Sequence, residues 1–405
     1  ENEVQPKDVV FVLDTSGSMA GDKIRQAKGA LKFCVNSLDP RDRFNLVAFS
    51  NDVRPWREGL QKATPENVKD AEAFVDKFTA TGGTNINGAL DSGLATLIAT
   101  DAASASRPSV VIFLTDGLPT VGTTDVDQIL ANAKRANTRQ ARVFDFGVGN
   151  DYNAHFLDKL ANEHNGYAEN VLTNEDIEVK VSSFYGKISA LLLMTLGVDW
   201  GGVTVYDVYP PKLPDLFKGS QLLVAGRYEL KGETKSATIE LSGDVTGRRQ
   251  AFRREVVFPG SALTDDFLPR LWATRKIGFL EDQIQLNGAS KELLEEVIRL
   301  SKEHGILSQY TSFLVDLDVN APGGPRTNVI GKGDSGLAAD GLGRVNVLRE
   351  PQAGAAAVSQ SVNKKDLMYA QQPASASGNV ILTADGRRVR MSQVRNVSQR
   401  SFVQS

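Results

Sequence analysis

The chain has 405 residues, 41% of them hydrophobic and 23% charged, an ordinary balance for a soluble globular protein of two or three domains. A formal net charge of −3 gives no electrostatic reason to expect nucleic acid or a bilayer as partner. No apolar run approaches the roughly 20 residues that span a membrane; the longest, 188–198, is interrupted by Gly197.

Cys34 is the single cysteine, which excludes an internal disulfide and a cysteine-based zinc site; its amphipathic helical surroundings point to a buried thiol. The chain opens on Glu1, with the expectation that upstream residues have been removed.

From residue 8 to 190, short apolar β-rich runs alternate with helical patterns. Strands are expected at 9–13, 44–49, 110–115 and 142–147. Helices are expected at 22–38, 65–78, 86–99, 125–136 and 154–163, with Pro65 in a first turn capped by Thr64. This alternation predicts an α/β fold, a doubly wound and mainly parallel sheet covered on both faces. In such sheets ligands bind beyond the carboxyl ends of the strands.

Three stretches fall at those ends. Asp14-Thr15-Ser16-Gly17-Ser18 follows the first strand. Thr81-Gly82-Gly83-Thr84-Asn85-Ile86 opens a helix, and Leu114-Thr115-Asp116-Gly117 ends the third strand. Together they offer Asp14, Ser16, Ser18, Thr84 and Asp116, a set of hydroxyl and carboxylate oxygens. Hard oxygens suit Mg²⁺, Mn²⁺ or Ca²⁺ and not zinc or copper. The bland alternative is that Ser16 and Ser18 cap a turn and Asp116 a helix. Capping alone does not require oxygens on all three loops.

The D-x-S-x-S string, the threonine and the aspartate, in that order, resemble the metal-ion-dependent adhesion site of the von Willebrand factor A domain, over about residues 4–190. The resemblance implies that Ser16, Ser18 and Thr84 ligate the metal directly, and that Asp14 and Asp116 act largely through water or hydrogen bonds. It implies a bound Mg²⁺, with Mn²⁺ or Ca²⁺ as alternatives, and an open position for a carboxylate from a protein ligand. His155, His164 and His304 fall outside the three loops, so no imidazole base is expected beside the metal and no enzyme activity is expected. The glycine-led loops lack the lysine of a phosphate-binding loop.

Beyond residue 190 the pattern changes to β-rich runs at 203–208, 221–228, 236–241 and 251–258, separated by turn signals such as Pro210-Pro211 and Ser242-Gly243. Within a second region, 191–318, an antiparallel sheet or half-sandwich is expected over 198–258. It is followed by a helical pair at 266–285 and 290–304, with Ser290 as an N-cap, and a strand at 310–315. Trp272-Ala273-Thr274-Arg275-Lys276-Ile277-Gly278 and the stretch from Gly305 to Val315 resemble the inter-alpha-trypsin inhibitor heavy-chain family and its bacterial relatives, as does Asp207-Val208-Tyr209-Pro210. That resemblance covers about residues 4–318. It implies a vault/inter-alpha-trypsin (VIT) domain in the full-length precursor, to which an uncovered sheet edge of 198–260 would pair.

Residues 319–405 read as a flexible tail rich in Gly, Ala and Ser. Its linker-like pieces are 322–325, 331–343, 353–357 and 374–378, and a small hairpin is expected from 380–382 and 387–391 around Ala384-Asp385-Gly386. Gly333-Asp334-Ser335-Gly336 has no histidine and aspartate context and is read as coincidence. The basic tail residues Arg387, Arg388 and Arg390 lack the aromatic neighbours of a nucleic-acid surface.

The expected function is metal-dependent adhesion or protein–protein interaction, extracellular or on a bacterial envelope. The alternative, from a different class, is an intracellular adaptor of a chaperone-like or chelatase ATPase.

Overall fold

Strand β1 (Asp8–Asp14) is buried along its whole length and divides its side chains between two cores. Val9, Phe11 and Leu13 face one, Val10 and Val12 the other. A strand apolar on both faces belongs inside a sheet covered by helices on each side. The structure is a computed structural model that describes residues 6–98, 107–188, 191–217, 221–230, 235–245, 248–260, 267–311, 351–372, 380–383, 386–390, 394–397 and 400–403. It divides into one unit of Glu1–Leu263 with Gln352–Ser361, and a second of Thr264–Pro351 with Val362–Ser405.

In the first unit a seven-stranded sheet runs β3-β2-β1-β5-β6-β7, with β4 also on β2. Its members are β2 (Arg43–Phe49), β3 (Val53–Pro55), β4 (Gln61–Lys62), β5 (Ser109–Thr115), β6 (Arg142–Val148) and β7 (Tyr167–Val171). The pairs β2–β1, β1–β5, β5–β6 and β6–β7 are parallel; β3 and β4 run antiparallel to β2. The first core takes helices α1 (Asp22–Asn36) and α2 (Pro65–Asp76) and α6 (Ile177–Ile188). The second takes α3 (Ile86–Thr96), α4 (Val126–Ala136) and α5 (Ala154–Glu163). The doubly wound expectation is met. Cys34 is buried in the first core, where burial pushes its thiol above its ordinary range. Thr64 caps α2 through the Asn67 amide, as expected.

The chain passes from β1 to β2 on one side and returns to β5 on the other. The strand order therefore reverses between β1 and β5, the position at which sheets of this kind form a crevice beyond their carboxyl ends.

The apolar run 188–198 supplies β8 (Leu191–Asp199), the centre of an antiparallel sheet ordered β10-β8-β12-β13. The others are β10 (Leu216–Phe217), β12 (Lys235–Val245) and β13 (Arg248–Phe258). A separate ribbon pairs β9 (Thr204–Tyr209) with β11 (Ala225–Glu229), so the run expected from 221 forms strand only from Ala225. The antiparallel expectation holds.

A helix, α9 (Gly354–Met368), stands where a linker was expected at 353–357. Its Ala357 and Val358 are buried in the second core. Ser361 donates to Asp158 Oδ2 at 2.8 Å and accepts from Asn170 Nδ2 at 3.0 Å. Small residues read as linker because Ala contributes little burial alone; here they fit a tight helical contact.

In the second unit α7 (Phe267–Asn287) and α8 (Lys291–His304) form the expected helical pair, and Ser290 caps α8 through the Leu293 amide. Lys364 reaches Asp282 at 2.9 Å and Gln285 at 2.7 Å. Gly278 admits the backbone at Met368, whose nitrogen would lie 2.5 Å from a Cβ. Of the strand expected at 310–315, Tyr310 and Thr311 are helical, the Thr311 amide turning back to the Ser308 carbonyl; 312–315 lie outside the described residues. So do the stretches 322–325, 331–343 and 374–378, and Gly333 to Gly336 with them. The expected hairpin forms from β14 (Val380–Leu382) and β15 (Arg388–Arg390). A further pair, β16 (Val394–Val397) and β17 (Arg400–Val403), follows.

Candidate functional site

The crevice between β1 and β5 gathers the three loops. After Asp14 the chain makes a 3-10 turn over Gly17–Met19, held down by the wholly buried Met19. Backbone bonds sew this turn to the second loop: Gly17 N donates to Gly82 O at 2.9 Å and Thr81 N to Thr15 O at 2.9 Å. Gly82 turns at φ +80°, a conformation that a side chain would strain. The second loop is fixed from two further sides. Gly83 N donates to Asn51 Oδ1 at 2.6 Å, and Thr84 N to Thr120 Oγ1 at 2.8 Å. Asn85 then caps α3 through the Gly88 amide.

Four of the five expected residues lie inside this frame: Asp14 and Asp116 are fully buried, Ser16 and Thr84 nearly so. Ser18 is exposed, so the cluster opens to solvent on its side. Ser18 Oγ donates to Asp116 Oδ1 at 2.6 Å, and Ser16 Oγ lies 3.0 Å from Ser18 Oγ. Because the single Ser18 proton goes to Asp116, the Ser16 hydroxyl donates to Ser18. Thr84 joins them at Gly117: a Cβ on that glycine would lie 3.4 Å from Thr84 Oγ1 and 3.7 Å from Ser18 Oγ. The bare glycine leaves the space between the hydroxyls open.

Asp14 sits behind the row. Its Oδ1 accepts from the Ser16 amide at 2.7 Å and its Oδ2 from Thr115 Oγ1 at 2.6 Å. Burial pushes this carboxyl up to about 6; the bonds from Thr115 and Ser16 pull it down, and the charge on Asp116 raises it further. Asp116 Oδ2 carries the ammonium of Lys23 at 2.5 Å.

The structure therefore brings all five expected residues to one crevice and adds Thr115, Lys23, Asn51 and Thr120, which sequence reasoning missed. Only Lys23 carried a signal. It is a cation in the first turn of a helix, where the macrodipole disfavours positive charge, and that placement asks for a nearby anion. His155 and His164 lie at the start and the cap of α5. Among the described residues, no group of three or more His, Cys, Asp or Glu is placed to hold a metal, so any ion here depends on the hydroxyls. No described helix is long and apolar enough to cross a membrane.

Residues 8–187 match the family model of the von Willebrand factor type A domain. The chain is 33% identical over 324 residues to inter-alpha-trypsin inhibitor heavy chain H4 of Homo sapiens, covering 76% of this chain and 35% of that protein. It is 30% identical over 325 residues to heavy chain H2 of Sus scrofa, covering 77% and 35%. The chain thus spans about a third of the length of the curated relatives it matches. A solved von Willebrand factor type A structure from Catenulispora acidiphila shares the fold, with a TM-score of 0.50 at 19% identity, covering 74% of this chain and 80% of that one. Domains of this family generally mediate protein–protein interaction or adhesion, and they and the heavy chains are in general not enzymes. Residues 8–187 are a von Willebrand factor type A domain, carried on a chain related to the inter-alpha-trypsin inhibitor heavy chains.

Proposed function

We propose that the crevice binds one divalent cation through Asp14, Ser16, Ser18, Thr84 and Asp116, and through it a carboxylate of a protein partner. Mg²⁺ is the first choice, with Mn²⁺ and Ca²⁺ as alternatives. The observation that carries this reading is the continuous row of oxygens from Ser16 through Ser18 to Asp116, spaced 3.0 and 2.6 Å apart. Neighbouring ligands of an octahedral Mg²⁺, with bonds of 2.0–2.1 Å, lie about 2.9 Å from one another. The donors are hard oxygens, and the row reaches solvent at the exposed Ser18, where a partner can approach.

When bound, the cation supplies a Lewis-acid contact for the partner's carboxylate. The chain's own residues do the positioning. Thr115 and the Ser16 amide aim Asp14, Ser18 and Lys23 hold the two oxygens of Asp116, and Asn51 and Thr120 fix the loop bearing Thr84. We read the site as one for adhesion and not for turnover. The likeness to the heavy chains supports a location outside the cell or in a bacterial envelope, and a VIT domain in the precursor.

Calorimetric titration of Mg²⁺ into the chain tests the reading. One ion per chain is expected, with uptake abolished by Asp116→Ala and by Asp14→Ala. A native chain that takes up none of Mg²⁺, Mn²⁺ and Ca²⁺ overturns it.

A further inference from the structure

We propose that Lys23 sets the charge of the crevice, cancelling one of its two carboxylates so that a loaded site carries one net positive charge and matches one partner carboxylate. This rests on the cation-site reading above and adds to it a determinant of what the site accepts.

Lys23 is the second residue of α1, at the helix end whose macrodipole repels cations. Asp22 beside it is turned to Arg25 at 2.7 Å and does not hold it. What holds it is Asp116. The Lys23 side chain is about one third exposed, while the carboxylate it reaches is wholly buried. Its path to Asp116 runs past Gly149, where a Cβ would stand 3.6 Å from Lys23 Nζ.

The two oxygens of Asp116 do separate work. Oδ1 accepts from Ser18 and belongs to the row of oxygens; Oδ2 accepts from Lys23. A cation reaching the row through Oδ1 does not require the ammonium to leave. The charge count is then simple. Ionised Asp14 and Asp116 with Lys23 give −1, a divalent cation brings the site to +1, and one carboxylate returns it to neutrality. Without Lys23 the loaded site is already neutral, and a partner carboxylate would leave it at −1. Lys23 therefore weakens the grip on the metal and strengthens the pull of the loaded site on an anion.

The test is Mg²⁺ alone, titrated calorimetrically into the full chain, its Lys23→Gln variant and its Lys23→Arg variant. Lys23→Gln is expected to bind Mg²⁺ at least about tenfold more tightly, because removing one unit charge near a divalent ion is worth about that factor even at the dielectric constant of water and more beside the buried Asp116 carboxylate. Lys23→Arg keeps the charge and is expected to stay within about threefold of the native chain. A gain of affinity cannot come from damage to the fold. Uptake by the native chain that Lys23→Gln leaves equal or weaker overturns this inference alone. Absence of uptake of Mg²⁺, and of Mn²⁺ and Ca²⁺ titrated in the same way, by both the native chain and the Gln variant overturns the cation-site reading itself.

Discussion

Thr115 Oγ1 donates to Asp14 Oδ2 at 2.6 Å, joining the ends of two adjacent parallel strands across 101 positions of sequence. Both residues are buried, and the carboxylate's other oxygen is already taken by the Ser16 amide. The bond ties β1 and β5 together at the crevice, beyond the last backbone pairing of Leu13 with Leu114. Thr115→Val keeps the shape and removes the hydroxyl, leaving Asp14 Oδ2 buried without its donor. Unfolding in urea without divalent ions should show a loss of about 1–3 kcal/mol, the cost of an unsatisfied buried polar group, with Thr115→Ser retaining most of the stability. A change in Thr115→Val no larger than in an exposed surface variant would show that Asp14 does not depend on this bond.

Gly117 tests the open space between the hydroxyls. A methyl group there makes only ordinary contacts, at 3.4 Å to Thr84 Oγ1 and 3.7 Å to Ser18 Oγ, so Gly117→Ala should fold with stability within about 0.5 kcal/mol of the native chain. The same methyl occupies space that an ion held by Thr84 and Ser18 would need. Mg²⁺ affinity should fall about tenfold, equivalent to about 1.4 kcal/mol. Unchanged uptake in a stable Gly117→Ala chain would place any bound ion elsewhere.

The difference between legible and hidden residues of this crevice follows from how each is held. Asp14, Ser16, Ser18, Thr84 and Asp116 stand at ends of strands or starts of helices, and local pattern places those ends. Asn51, Thr115 and Thr120 act by hydrogen bonds to other loops, and nothing in their own neighbourhood announces the partner. The same split runs through the fold. β1 and β5 are continuous apolar runs and read as buried strands at once. The run that forms β8 reads only as too short for a membrane, because its strand character depends on β10 and β12 pairing to it. The start of α9 is a string of small residues whose burial depends on the second core being there to receive it.

Gly147, near the end of β6, lies under the ring of Tyr152. A Cβ at Gly147 would stand 2.2 to 2.7 Å from three ring carbons of that wholly buried tyrosine. Gly147→Ala must therefore displace the ring or the strand, at about 1–3 kcal/mol for an overpacked core. Because the two residues share one contact, their effects should not add. In a Tyr152→Ala background the glycine substitution should cost little, and a double-mutant cycle by chemical denaturation measures this. Equal penalties in both backgrounds would assign the glycine's role to its backbone and not to the ring.

His164 gives the chain a pH dependence remote from the crevice. It caps α5 and is buried, and its Nδ1 lies 2.8 Å from Asn137 Nδ2. An amide nitrogen can only donate, so Nδ1 accepts and the ring is neutral. Burial, with the positive Lys134 adding to it, holds the imidazolium pKa below its ordinary 6.5. The unfolded chain therefore takes up this proton first as pH falls. The stability contributed by neutral His164 is complete above about 6.5, the unfolded value, and is lost as pH drops through the lower folded one. His164→Gln cannot take up the proton, so its unfolding midpoint in urea should fall less between pH 7.5 and 5 than that of the native chain. Comparing the two profiles cancels the groups they share. Parallel profiles would mean that the ring accepts its proton in the folded state as readily as in the unfolded one, and that Asn137 turns its amide to receive it.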